Sequence, residues 1–242
     1  MIDVSKSIVH FGIKIPIKTR GIELTRENYA TISNKSSLGK NYTYIQAQAK
    51  NDEMLIESYS KIYADKEGLI YRDDWCMNHL TEVMQNYDLN MEFFMRLNQE
   101  KFNNEIEEFL KKTDFIETND LSEYSCPGYY ALILDKYCQI YIGTSKDIKA
   151  RIRQHWTGGK LKFDRLIFGG KDTSKISIDS FRTLDTTRVL VYPTDDIFNY
   201  ENEYINMISD KFLCNRVGGG KVDDMECGLL NLMVSMKNRK MK

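Results

Sequence analysis

The stretch PGYYALILDKYCQIYIGTSKDIKARIRQHW, which begins at Pro127, constrains this chain most, because its period changes partway along. Residues 129–134 and 137–142 are rich in Tyr, Ile and Leu and flank the polar pair Asp135-Lys136, a pattern that predicts a β-hairpin. With a two-residue loop, Leu134 pairs with Tyr137 and Tyr130 lies directly opposite Tyr141, both phenols on one sheet face. A loop longer by one residue would set them on opposite faces, since side chains alternate along a strand. After Gly143 the period becomes helical. Thr144 and Asp147 are spaced as a capping box, and Ile148, Ile152 and Trp156 recur at four-residue intervals. Arg151 and His155 are also four apart, so they project together from one flank of the stripe that packs on the sheet. Two phenols, a guanidinium suited to phosphate oxygens and an imidazole that titrates near neutrality are thereby expected in one region.

The rest of the chain divides around this stretch. At 242 residues it is long enough for one large domain or two small ones. Acids dominate from Glu100 to Glu123, where Phe102, Ile106, Phe109 and Leu110 sit at helical spacing before a turn-rich run around Asn119 and Asp120. A boundary is therefore expected near Glu123. The first unit, 1–123, reads as mainly helical, with helices near 51–63, 74–87 and 90–110 after a segment in which Ile13, Ile15 and Ile17 alternate like a strand. The second, 124–242, reads as a small antiparallel sheet flanked by helices, with a last amphipathic helix through Met225, Leu229, Leu230 and Met233 beyond the glycines at 218–220. The expected class is α+β. The Met and aromatic stripe of residues 77–95 reads as core rather than as a ligand groove.

Composition narrows the partners. A net charge of -1 excludes the inference from a strongly basic chain to nucleic acid, so any such binding must come from local clustering. That clustering exists: Lys146, Lys149, Arg151, Arg153, Lys160, Lys162, Arg165, Lys171 and Lys175 face only Asp147, Asp164 and Asp172. No apolar run approaches the roughly 18 residues of a membrane helix, and the N-terminus lacks the pattern of a secretory leader, so no membrane and a cytoplasmic location are expected. Five cysteines without framework spacing point to reduced thiols, and Cys76 with His79 forms a C-x-x-H pair that no second pair completes into a zinc site.

The triplets Gly128-Tyr129-Tyr130 and Tyr141-Ile142-Gly143, followed by SKDIKARIRQH with Arg151 and His155 in the expected spacing, resemble the GIY-YIG nuclease superfamily. This superfamily includes homing endonucleases, restriction endonucleases and the incision domain of bacterial excision repair. Tyr129 stands where the family usually has Ile. Val189 to Pro193 resembles the third strand, YENEYINMIS the helix bearing the metal-binding Glu, and Asn215 the Asn that closes the module; the likeness runs from about Pro127 to Gly220. It implies a metal-dependent endonuclease on double-stranded DNA, with the type II restriction kind as one form. The alternatives are a repair, recombination or defence nuclease with a structure-specific DNA or RNA substrate, and an inactive nucleic-acid-binding protein. In this reading Glu201, rather than Glu203, holds Mg²⁺ or Mn²⁺, and Arg151 binds the scissile phosphate. Tyr130 or Tyr141 orients or deprotonates water with help from His155, and Asn215 positions phosphate or backbone. A phenol with an ordinary pKa near 10 is a poor base at neutral pH, so its proton must be relayed or its pKa lowered. Lys146, Arg153, Lys160, Arg165 and Arg188 are the expected nucleic-acid contacts. About thirty residues separate His155 from the third strand, more than a minimal module has. The N-terminal half, with Lys6, Lys14, Lys18, Arg20, Arg26, Lys35 and Lys40, is expected to help choose the target, and homo-oligomerisation is left open.

Overall fold

The computed structural model describes residues 6–17, 21–29, 73–157, 176 and 178–215, apart from the side chains of 73–80, 82 and 83. In chain order the elements are β1 (Ser7–His10), β2 (Ile13–Pro16), α1 (Arg26–Tyr29), α2 (Asp73–Met95), α3 (Gln99–Lys112), β3 (Ile116–Thr118), β4 (Gly128–Leu134), β5 (Gln139–Ser145), α4 (Ile148–Thr157), β6 (Arg188–Pro193) and α5 (Glu201–Asn206). The protein is mixed α+β, with an antiparallel β1-β2 hairpin and a four-stranded antiparallel sheet in the order β3-β6-β4-β5. Of the alternating isoleucines, Ile13 and Ile15 lie in β2 and are buried, while Ile17 falls just past its end. Among the described residues no helix is long and apolar enough to cross a membrane.

The β4-β5 hairpin differs from expectation in register but not in parity. Leu134 pairs with Gln139, Leu132 with Tyr141 and Tyr130 with Gly143, so Tyr130 and Tyr141 are diagonal neighbours and not directly opposed. The turn is longer than the expected two residues: Asp135–Tyr137 makes one 3-10 turn, and Cys138 closes it in the left-handed region at φ 48°. Asp-Lys lacks the glycine that a tight two-residue turn favours. The tertiary structure also draws Tyr137 out of the strand. Its hydroxyl donates to Asp185 Oδ1 at 3.0 Å, and its ring packs on Phe94 and Phe181. Because the register moves by an even step, both phenols stay on one face.

The sheet also reaches back across the boundary expected near Glu123. β3 pairs with β6, and α3 lays Phe102, Ile106 and Phe109 against the face that carries Tyr129, Ala131 and Ile133. The helices expected at 74–87 and 90–110 break later than their sequence suggests. α2 runs through to Met95, with the Asn90 amide donating to the Asn86 carbonyl at 2.7 Å, and Asn98 then caps α3 by accepting from Lys101 N at 2.8 Å. The expected helix near 51–63, the glycines at 218–220 and the last amphipathic helix lie outside the described residues, as do the side chains of Cys76 and His79.

The second face of the sheet receives α4. Ile148, Ile152 and Trp156 are buried against Tyr130, Leu132 and Val191 in one core cluster, as their spacing predicts. The helix start is corrected by one detail. Asp147, not Thr144, caps α4 by accepting from Ala150 N at 2.8 Å, while the Thr144 hydroxyl donates to the Gly128 carbonyl at 3.2 Å.

Candidate functional site

β4 carries Tyr130 into the second face, fully buried, and its hydroxyl lies 2.8 Å from His155 Nε2. The cross-strand partner of Tyr130 is Gly143, and this identity is a steric requirement. A Cβ at 143 would stand 2.6 Å from the Tyr130 hydroxyl oxygen, so only glycine lets the phenol lie across β5. Tyr141 joins from β5, its ring centroid 6.1 Å from that of Tyr130 and 5.0 Å from that of His155. Arg151, one turn before His155 on α4, acts on the same phenols through its charge, while its Nη1 donates to Gln154 Oε1 at 2.6 Å. Tyr130, Tyr141, Arg151 and His155 thus converge.

Glu201 is brought in by the other face. Tyr129 points away from Tyr130, and its hydroxyl accepts from the backbone N–H groups of Asn199 at 3.1 Å and Tyr200 at 3.0 Å, the residues that lead into α5. Its ring packs edge-on against Tyr204 of the same helix. Tyr129 therefore anchors the first turn of the helix bearing Glu201. From there the Glu201 carboxylate acts electrostatically on both Tyr141 and Arg151.

Burial governs the titration of the cluster. It raises the Tyr130 phenol well above its ordinary value, with Tyr141 adding to the shift and Arg151 opposing it. Tyr141 is pushed up to about 12, by burial first and then by the Glu201 carboxylate, again against Arg151. Burial also raises Glu201, and Arg151 pulls it back. Burial works against the Arg151 guanidinium too, but Tyr130, Tyr141 and Asp179 outweigh it and keep the charge in place. Both phenols hold their protons at neutral pH, so neither is a base by itself. Tyr130 does, however, have an acceptor for its proton at His155 Nε2.

The remaining expected site residues fall into different surroundings. Asn215 is buried, and both ends of its amide are spent on one residue: Oδ1 accepts from Ile142 N at 3.0 Å, and Nδ2 donates to Ile142 O at 2.6 Å. With Cys214 N donating to Ile140 O at 2.9 Å, residues 213–215 close the open edge of β5 and hold the Tyr141-Ile142-Gly143 triplet in place. Lys146, just before α4, and Arg153, within it, are exposed. Arg188 is partly buried in a bidentate pair with Asp135, at 2.6 and 3.0 Å. That pair secures the hairpin turn. Lys160 and Arg165 lie outside the described residues, as do Lys18, Arg20, Lys35 and Lys40 of the N-terminal basic set, and Arg26 is paired with Asp88.

Two neighbours of the site were not singled out from the sequence. One is the Tyr129 hydroxyl, whose signal was the departure from isoleucine itself. The other is Asp179, in the 3-10 turn Ile178–Ser180, whose Oδ1 lies 3.5 Å from His155 Nδ1. No local period marks it.

Glu201 is the one carboxylate of the cluster that could hold a divalent ion. Glu201 is half-buried, no hydrogen bond or ion pair joins its carboxylate to another described residue, and no group of three His, Cys, Asp or Glu that could hold a metal occurs among the described residues. Mg²⁺ can be held by one or two carboxylates and keeps most of its waters, whereas zinc takes three or four protein ligands. Comparison with family models, with curated proteins and with solved structures gives no significant match.

Proposed function

We propose that this protein is a metal-dependent DNA endonuclease of the GIY-YIG type that its sequence resembles, cleaving phosphodiester bonds at the Tyr130, Tyr141, Arg151, His155 and Glu201 cluster. One observation carries the reading: the Tyr130 hydroxyl sits 2.8 Å from His155 Nε2 among groups that bear on phosphate chemistry, the charges of Arg151 and Glu201.

The residues divide the work as follows. A water held against the Tyr130 oxygen can pass its proton to that oxygen while the phenol's own proton moves to His155 Nε2. The tyrosine then shuttles a proton without ever needing to be ionised at rest, which its burial forbids. Arg151, kept charged by the phenols and Asp179, offers N–H donors to a phosphate oxygen as negative charge builds there. Tyr141 closes the other side and fixes the Tyr130 ring. Glu201 would hold the metal, which when bound neutralises charge on the phosphate and on the departing oxygen. Asn215 keeps Ile142, and with it Tyr141 and Gly143, in register. Exposed Lys146, just before α4, and Arg153, within it, lie where a DNA backbone would approach.

The test is incubation of purified protein with supercoiled plasmid, with and without Mg²⁺, alongside Glu201→Ala and Glu203→Ala. Nicked or linear product is expected from wild type only with the metal. Glu201→Ala should lose it while keeping its melting temperature, and Glu203→Ala, exposed on the same helix, should retain it. A dead Glu203→Ala beside an active Glu201→Ala reassigns the ligand. Wild type that cuts no DNA or RNA under any metal condition overturns the reading.

A further inference from the structure

We propose that Asp179 is a positioning residue that sets the tautomer of His155 and completes a proton relay from Asp179 through His155 to Tyr130. Its catalytic consequence rests on the hydrolytic reading above, but the tautomer it imposes does not.

The geometry is that of a three-membered chain. Tyr130 meets His155 at Nε2, 2.8 Å away, and Asp179 meets the same ring at Nδ1, 3.5 Å away, so the two nitrogens face opposite partners. The imidazole lies between them. Its side chain is only 5% exposed, and its ring packs against those of Tyr130 and Tyr141, while the Asp179 side chain, at 48%, remains open to solvent. A neutral histidine carries one proton on one of two nitrogens, and a carboxylate beside Nδ1 favours the tautomer protonated there. Nε2 is then left with its lone pair toward Tyr130, and the phenol becomes the donor in the 2.8 Å hydrogen bond. Without the carboxylate, a proton on Nε2 would make His155 the donor and Tyr130 the acceptor. The proton path from water through the phenol would then be blocked at its second step.

Asp179 faces the site from another direction as well, since its charge also helps to keep Arg151 protonated. It lies in the stretch between α4 and β6, the part of the chain that exceeds a minimal module. That extra length thus supplies the carboxylate. The same division of labour, with a carboxylate fixing an imidazole that serves a hydroxyl, is known from hydrolytic triads, where exchanging the carboxylate for its amide leaves the geometry but inverts the tautomer.

Asp179→Asn is the decisive variant, because the side chain keeps its shape and can donate to Nδ1 instead of attracting its proton. Nitrogen NMR of the imidazoles in the full chain reads the tautomer directly. The protein has three histidines, and the His155 signals are identified by their loss in His155→Gln. Wild type should show Nδ1 protonated and Nε2 bare. Asp179→Asn should move the proton to Nε2, leave the other two histidines unshifted and, in the plasmid assay, lower kcat by about tenfold or more at unchanged KM. Asp179→Glu should restore much of both. An unchanged His155 tautomer in Asp179→Asn overturns the proposal, and so does a changed tautomer with unchanged kcat. If wild type cuts no nucleic acid yet the tautomer moves, the positioning role stands and the nuclease reading falls.

Discussion

Tyr129 and Tyr130 are neighbours in sequence, equally buried, and on opposite faces of the same strand. On the first face the Tyr129 hydroxyl accepts from two backbone N–H groups, and its ring is wedged between Tyr192 and Tyr204. On the second face the Tyr130 hydroxyl meets an imidazole and feels the charge of a guanidinium, groups that gain, lose or hold charge. Burial alone does not separate Tyr129, read as structural, from Tyr130, proposed as functional. What separates them is whether the hydroxyl is satisfied by fixed amides or by side chains able to exchange a proton.

The sharpest way to break this comparison is to remove each hydroxyl in turn. Tyr130→Phe should cut the cleavage rate by about 10²- to 10⁴-fold, the usual worth of positioned proton transfer, with the melting temperature nearly unchanged. Tyr129→Phe should do the reverse. It leaves two partly buried N–H groups without an acceptor, at a cost of about 1–2 kcal/mol of stability, while the folded variant should keep most of the proposed cleavage rate. Rate and thermal unfolding measured on the same preparations decide the matter. If both variants lose the same activity, the two faces are not functionally distinct.

A smaller effect sharpens the second face. Gly143→Ala places a methyl group 2.6 Å from the Tyr130 oxygen and 3.0 Å from the Tyr141 ring. Such overpacking costs about 1–3 kcal/mol, and relief by movement of the phenol would pull its hydroxyl away from His155. Both unfolding temperature and cleavage should fall, unlike the outcome for Tyr130→Phe. A crystal structure of Gly143→Ala with the 2.8 Å contact intact would contradict this account of the second triplet.

Much of this arrangement was legible because its signals are local. The Ile148, Ile152, Trp156 stripe gave α4 its buried face, and the parity of β4 and β5 put Tyr130 with Tyr141 even though the turn is longer than expected. A four-residue spacing and a strand period survive any tertiary context that preserves the element. The features missed depend on distant partners. β3 and α3 join the sheet through Val191, Leu190 and Ile133, far along the chain from them. The turn follows the demand of Tyr137 for Asp185, and Asp179 reaches His155 from the opposite end of the long connection to β6. None of these pairings leaves a periodic trace, because each is set by which surfaces meet after the elements have formed.

The smallest expected effect extends the comparison to histidines. His10, in β1, packs its ring 5.0 Å from Trp156 at the end of α4, and its Nε2–H donates to the Thr186 carbonyl at 2.9 Å. His155 lies one residue from the same tryptophan, but its two nitrogens meet a phenol and a carboxylate. His10 should therefore behave as a structural group. Burial lowers its pKa below the ordinary 6.5, only partly offset by the bond to Thr186, so the folded protein resists its protonation. In the unfolded chain the same ring takes up a proton as pH falls through about 6.5. Over the window from there down to the folded pKa, the unfolded state binds more protons than the folded one, and stability declines with falling pH. His10→Gln can keep a donor toward Thr186 and has nothing to protonate. Its melting temperature, followed from pH 7.5 to 5, should fall less steeply than that of wild type, while its cleavage rate at pH 7.5 stays close to wild type. Parallel melting curves across that range would show that His10 is protonated as readily in the fold as outside it, and the hairpin of β1 and β2 would not then be docked on α4 through a neutral, desolvated imidazole.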